Sequence, residues 1–183
     1  MAVLEQLAER GLLDLYYGDE SRVNLEPCVP YGWQFPEEQV FMPTSQGAGV
    51  NCFALLSRAN ELVFATTRQT ITSAFLLEEL ERWSFTRRKT TVVVLDNASV
   101  HTSQEFKERR VYWQQRGLYL FYLPPYSPHL NLAETLWRKL KYEWLQPADY
   151  AVADTLFYRV RQALAAVGSS LQIHFSKFSL GST

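Results

Sequence analysis

Long hydrophobic runs are missing from this chain of 183 residues. No apolar stretch approaches the roughly 20 residues that a bilayer-crossing helix needs, so no membrane partner is expected. Residues 1–11 carry Glu5, Glu9 and Arg10 in an amphipathic pattern, which is not that of a signal peptide. Cysteine is scarce. Cys28 and Cys52 cannot build a disulfide framework and lack metal-ligand spacing, so a reducing, cytoplasmic setting is expected. An excess of either charge is also lacking: the net charge of −1 excludes a protein that coats nucleic acid through bulk charge. There is no internal repeat, low-complexity segment, obvious linker, Ser–His–Asp arrangement or Gly-rich phosphate loop. What remains is an ordinary globular composition, 47% apolar and 14% aromatic, on a length that suits one domain and would cramp two.

The hydrophobic pattern organises that domain. A short helix is expected over residues 2–10 and a first strand over 12–18, ending at Asp19-Glu20. Residues 21–49 hold Pro27, Pro30, Pro36 and Pro43 and read as irregular. Two β-prone runs, 50–57 and 62–67, flank a turn and signal a hairpin. Helical periodicity follows over 70–83. The continuous apolar run of residues 90–95 then marks a strand buried on both faces. A helix over 103–116 stops at Gly117, a strand covers 118–123, and helices cover 131–145 and 149–167. Residues 1–168 would form the domain and 169–183 a loosely held C-terminal tail. The order predicts an α/β fold: a mixed sheet, antiparallel at one side and parallel at the other, with helices on both faces.

The chemistry lies in the acids. Asp19 and Asp96 are both predicted at strand carboxyl ends, where functional groups of such sheets collect, and parallel neighbouring strands would set them side by side. Beyond the rigid turn Pro124-Pro125-Tyr126-Ser127-Pro128, a third carboxylate, Glu134, opens a helix. Carboxylates converging from separate elements suit Mg²⁺ or Mn²⁺, and two such ions can drive phosphodiester cleavage without a histidine base or serine nucleophile. Each acid also has a plain structural reading. Asp96 is a turn residue after a strand, Asp19 or its neighbour Glu20 an exposed turn acid, and Glu134 the third helical residue of a capping box opened by Asn131. Asn97 is either an orienting group for water or phosphate or a turn former; His101 either contacts phosphate or caps a loop. Leu136 and Trp137 read as core anchors. Tyr31 and Trp33 are better candidates for touching bases, but read first as buried core residues. Arg82, Arg87, Arg88 and Lys89, then Lys107, Arg109 and Arg110, then Arg138, Lys139 and Lys141 form local basic clusters that fit either phosphate gripping or solvated helix faces.

These motifs resemble a known family. Asp96-Asn97-Ala98-Ser99-Val100-His101, then Leu123 through the proline turn to His129-Leu130-Asn131, then Glu134 and Trp137, are similar to the catalytic core of DDE transposases of the mariner superfamily, in the bacterial insertion-sequence branch. Asp19-Glu20-Ser21, with Pro27 and Tyr31-Gly32-Trp33, resembles that branch's first-acid region. The resemblance implies an RNase H-like fold with a five-stranded sheet. It further implies a metal-dependent nuclease and strand transferase acting on transposon-end and target DNA. Asp19, Asp96 and Glu134 would be the catalytic acids and metal ligands, supported by Asn97, His101 and Asn131. It selects Asp19 over Glu20, and makes Glu134 a ligand as well as a cap.

Members of the superfamily carry N-terminal helix-turn-helix domains, whereas here the catalytic region begins almost at once. End recognition is therefore expected from elsewhere; the partners expected besides DNA are a second copy of the chain, as a homodimer, or a chain supplying those domains. A catalytic fragment, one frame of a split element and a decayed copy are all compatible with this. Two other functions compete: a non-catalytic or regulatory fragment that assembles with a full-length transposase, and a stand-alone nuclease for RNA–DNA hybrids.

Overall fold

A computed structural model describes residues 1–26, 49–101, 103–125, 127 and 130–176. Five strands form one sheet in the order β3-β2-β1-β4-β5. They are β1 (Asp14–Asn24), β2 (Gly49–Ser57), β3 (Leu62–Thr67), β4 (Thr91–Leu95) and β5 (Leu118–Tyr122). The β1–β2 and β2–β3 pairs are antiparallel, and β1–β4 and β4–β5 are parallel. Five α-helices accompany them: α1 (Ala2–Glu9), α2 (Ser73–Ser84), α3 (Gln104–Gln115), α4 (Ala133–Lys139) and α5 (Ala153–Ala166). The mixed sheet expected from the pattern is therefore present. None of these helices is long and apolar enough to cross a membrane.

Strand alternation explains the two-faced core. Phe53 and Leu55 of β2 face α2 and α3, meeting Leu76, Leu80, Phe106 and Trp113. Their neighbours Cys52, Ala54 and Leu56 face the other way, against Leu136 of α4 and Leu156, Val160 and Leu164 of α5. Leu15 and Tyr17 of β1, with Val92 and Val94 of β4, take α1 onto that second side. The β4 run is buried throughout because both of its faces are covered. Thr72 caps α2 and Ser103 caps α3, each hydroxyl accepting a backbone N–H of the first turn.

Several elements differ from expectation for identifiable reasons. The first strand does not end at Asp19-Glu20. It runs on to Asn24 because β2 offers a continuous antiparallel ladder, pairing Asp19 with Ala54, Glu20 with Phe53 and Asn24 with Gly49. The helix expected over 131–145 is α-helical only to Lys139, and a π-helical turn, Leu140–Trp144, completes it. A 3₁₀ turn, Pro147–Tyr150, precedes α5. Within the described part of the expected tail, which reaches residue 176, Ile173 is held: it is buried, its N–H donates to Asn60 Oδ1 at 2.7 Å, and its carbonyl accepts from Asn60 Nδ2 at 3.0 Å. The first basic cluster does not surround the acids, since Arg87 to Lys89 precede β4 and Asp96 follows it, about 23 Å beyond Lys89 at strand rise. Much of the basic charge is internally paired: Lys89 with Asp14, Arg82 with Glu78 and Glu79, Arg109 with Glu81, and Lys139 with Glu143.

One polar knot joins α2 to α3. Glu81 accepts from the indole N–H of fully buried Trp113 at 2.8 Å and from Arg116 at 2.7 Å, with Arg109 at 3.0 Å. Burial opposes its charge, but the Arg116 and Trp113 hydrogen bonds and the two guanidinium charges prevail and hold its carboxyl below the usual range. A depressed acid stabilises the fold above its unfolded value near 4.3 and loses that contribution as pH falls through the lower folded value. Glu81→Ala leaves the indole N–H unpaired and is expected to cost about 1–3 kcal/mol at pH 7. Chemical denaturation of both proteins should show that gap shrinking below about pH 4; a pH-independent gap would assign the loss to packing alone.

Candidate active site

The longer first strand places its acid more favourably than a strand tip would. The β1–β4 pairing ends at Tyr17 opposite Val94. Continued at the same register, it sets Asp19 opposite Asp96, just beyond the last residue of β4. Asp19 shares the strand parity of Tyr17 and faces the α4 side, where Trp137 Nε1 donates to its Oδ2 at 3.0 Å. Glu20 necessarily faces the opposite side. Just before them on the strand, Gly18 is close-packed: a Cβ there would lie 2.6 Å from Leu95 Cδ2 and 3.0 Å from Leu55 Cδ2, so no larger residue fits without displacing the core.

Asn131 joins the third acid to the first. Its Nδ2 donates to the Gly18 carbonyl at 3.0 Å, and its Oδ1 accepts from Ala133 N at 3.1 Å. One buried side chain thus tethers the start of α4 to β1 and takes up the N–H of its first residue, while the N-cap position itself is Leu132 and makes no side-chain bond. The reciprocal half of the capping box is not made. Among the described residues the exposed Glu134 carboxylate has no hydrogen-bond partner, and with Asp19 and Asp96 it lines one cleft of about 210 Å³. Asn97, Leu123, Pro124, Pro125 and Ser127 form the adjoining wall. The Asn97 amide donates to the Leu123 carbonyl, tying the loop after β4 to the loop after β5.

His101 is almost fully enclosed, at 1% exposure, and bridges two carboxylates. Its Nδ1 lies 2.8 Å from Asp96 Oδ1 and its Nε2 lies 2.7 Å from Glu20 Oε1. Since both partners are acceptors, full satisfaction needs an N–H on each ring nitrogen, the imidazolium. Burial disfavours that charge, but the Glu20 hydrogen bond and the Glu20 and Asp96 charges outweigh it and raise the pKa. Asp19 is driven up to about 7, chiefly by burial, then by the Glu20 charge, with Asp96 adding and Trp137 opposing.

Of the expected residues, Asp19, Asp96, Glu134, Asn97 and Asn131 share the cleft, and His101 stands behind Asp96. Tyr31, Trp33, Tyr126, Pro128 and His129 lie outside the described residues. Trp137 is the core anchor expected and also holds Asp19. A buried indole N–H needs a partner, so its position one turn past Glu134 was the available signal. A larger, shallow groove of about 1080 Å³ lies between α2 and α3, but its glutamates and arginines largely pair with one another around Phe85 and Tyr112.

Residues 14–156 match the family described as DDE superfamily endonuclease. The chain belongs to that family. Among curated relatives of this DDE-family chain, the uncharacterized 39 kDa protein of insertion element IS630 from Shigella sonnei is 28% identical over 131 residues. The match covers 69% of this chain and 37% of that protein, so the chain spans little more than a third of the relative's length. Solved structures extend the likeness. The HTLV-2 integrase catalytic core domain in complex with magnesium is similar at TM-score 0.54 and 14% identity, over 86% of this chain and 88% of that one. The simian T-cell lymphotropic virus intasome in complex with PP2A regulatory subunit B56 gamma gives 0.58 at 15%, over 85% and 49%. A pre-cleavage Mos1 transpososome gives 0.50 at 13%, over 93% and 61%. At these identities the likeness speaks for the fold, and the fold is the RNase H-like one of integrase and transposase catalytic cores.

Do the residues of this DDE-family chain fit a divalent ion? The donor set is all carboxylate oxygen, the hard-ligand chemistry of Mg²⁺ and Mn²⁺. Among the described residues no lysine or arginine pairs with Asp19, Asp96 or Glu134, and Asp19 is pushed up by burial first and then by the Glu20 and Asp96 charges. Among the same residues no three acidic, histidine or cysteine groups stand close enough to enclose an ion by themselves. Water and phosphate oxygens would complete the shell, as is usual for Mg²⁺. The fit is to an open site.

Proposed function

We propose that this chain is the catalytic domain of a DDE transposase, cutting DNA at transposon ends and joining the freed 3′-hydroxyl to target DNA. The observation that carries the reading is the meeting of Asp19, Asp96 and Glu134, from β1, the end of β4 and the start of α4, in one cleft of a DDE-family chain. Asp19, Asp96 and Glu134 would hold Mg²⁺ or Mn²⁺, in one or two ions. Such ions supply charge stabilisation to the attacking and leaving oxygens of an in-line displacement.

The protein's part is positional. Asp19 keeps one oxygen on Trp137 and Asp96 one on His101, so neither carboxylate can swing freely. Glu134, on a helix rooted to β1 by Asn131, closes the third side. Exposed Arg138, one turn along α4 from Glu134, would meet the phosphate backbone. In cleavage a water oxygen bonds to phosphorus as the bond from phosphorus to the 3′ oxygen breaks, releasing a 3′-hydroxyl. In joining, that hydroxyl bonds to a target phosphorus and displaces the target's 3′ oxygen. One phosphorus–oxygen bond is exchanged for another, so no external energy source is required.

Supercoiled plasmid, linear duplex DNA and an RNA–DNA hybrid, each incubated with the purified chain in Mn²⁺, provide the test. Nicking of DNA duplex and covalent joining of a pre-cut 3′ end into plasmid are expected. Preference for the hybrid would instead support a stand-alone ribonuclease. No cleavage with any substrate, alongside co-purification with a helix-turn-helix transposase, would support the regulatory role.

A further inference from the structure

The acid next to the first catalytic one points away from the cleft, yet it reaches the second. Glu20 leaves β1 on the α2–α3 side, and its Oε1 takes Nε2 of His101 at 2.7 Å, while Nδ1 of the same ring meets Asp96 Oδ1 at 2.8 Å. That Asp96 oxygen also accepts from the Ala98 backbone N–H at 2.9 Å. It is thereby fully occupied by the protein, and Oδ2 is the oxygen left over. The turn carrying His101 is itself fastened: the His101 carbonyl accepts from Tyr122 OH at 2.8 Å, and the Val100 carbonyl accepts from Ser73 Oγ at 3.0 Å. The ring packs against Phe106 with centroids 6.2 Å apart. Asp96, by contrast, has a side chain 52% exposed and would sample several rotamers without such a hold.

We propose that Glu20 and His101 are a positioning pair that locks the rotamer of Asp96 so that a single oxygen, Oδ2, is presented to the divalent ion. The proposal rests on the metal-site reading above. Hydrogen-bonded partners behind a ligand set its orientation, and losing them commonly lowers metal affinity by about 10–100-fold. Glu20 anchors the imidazole from the far side. Without it the ring is held at one nitrogen only and can turn its other edge toward Asp96.

The measurement is Mn²⁺ affinity of the whole chain by electron paramagnetic resonance titration, with thermal unfolding of each variant recorded alongside. Glu20→Ala is expected to weaken binding about 10-fold or more, in a chain that unfolds at a lower temperature but still cooperatively. Glu20→Gln retains an acceptor oxygen for Nε2 and is expected to stay within about 3-fold of the wild type, because orientation rather than charge is at stake. His101→Gln, which lacks the second arm of the bridge, should behave as Glu20→Ala. Wild-type affinity in both Glu20→Ala and His101→Gln overturns the proposal, and so does Glu20→Gln as weak as Glu20→Ala. If the wild type itself shows no saturable Mn²⁺ binding that Asp96→Asn removes, the metal-site reading fails and this one falls with it.

Discussion

Asp96→Asn is expected to remove metal-dependent DNA nicking, by at least about 10³-fold, while leaving the fold intact. The substitution keeps the shape of the side chain and, through its carbonyl oxygen, the contacts to Ala98 N and His101 Nδ1. What it removes is the negative charge at the mouth of the cleft shared with Asp19 and Glu134. Glu134→Gln should have a comparable effect, because its carboxylate makes no structural bond among the described residues. Parallel plasmid assays in Mn²⁺, with the variants purified identically to the wild type, decide the matter. Equal nicking by all three proteins would expose a contaminating nuclease.

The second large effect runs in the opposite direction. Asp19→Asn is expected to stabilise the metal-free protein at pH 8 by on the order of 1–3 kcal/mol, allowing for partial solvent screening. The carboxyl of Asp19 is pushed from 3.8 up to about 7 by burial and by the Glu20 charge. For an acid raised in this way the penalty is absent below its unfolded value, where both states are protonated. It grows as pH climbs through the window from 3.8 to about 7, where the folded state keeps a proton that the unfolded state has lost, and is complete above it. Asparagine is neutral at every pH, so the variant's advantage should be near zero at pH 4 and several degrees of unfolding temperature at pH 8. Millimolar Mg²⁺ should then raise the wild type toward the variant and leave the variant almost unmoved. An advantage of equal size at both pH values, unaffected by Mg²⁺, would mean that Asp19 is not the strained, ion-seeking acid described here.

Much of this molecule can be read from residue pattern alone, and the exceptions share a cause. The β4 run and the acid after it are visible because a strand covered on both faces must be apolar throughout, which makes Asp96 conspicuous. The hairpin, the sheet type and the ends of α2 and α3 follow equally from local periodicity and capping. Asp19 was expected at a strand tip because the apolar run stops at Gly18. The strand continues through polar residues since β2 supplies hydrogen bonds that no local pattern reveals. Glu134 matches a capping box, yet the helix begins one residue later than that pattern implies, with Leu132 as N-cap, and the Glu134 carboxylate lines the cleft instead of reaching back. The Trp137–Asp19 and Glu20–His101 bonds join residues far apart in sequence, and their existence depends on how β1, β4 and α4 meet. Strand parity does say that Asp19 and Glu20 part company; where Glu20 goes is a tertiary matter.

The strand order has a consequence for how the chain is made on the ribosome. β1, β2 and β3 emerge first and can zip together as a meander, but the other edge of β1 then waits unpaired until residues 91–95 are synthesised. At about 5–20 residues per second that interval lasts seconds, and an open edge of this kind invites wrong pairing. The acids follow the same timetable, for the second cannot settle beside the first before β4 docks, and the third arrives only with α4. A nascent chain therefore carries no assembled cleft. The cleft comes together only once α4 has been made.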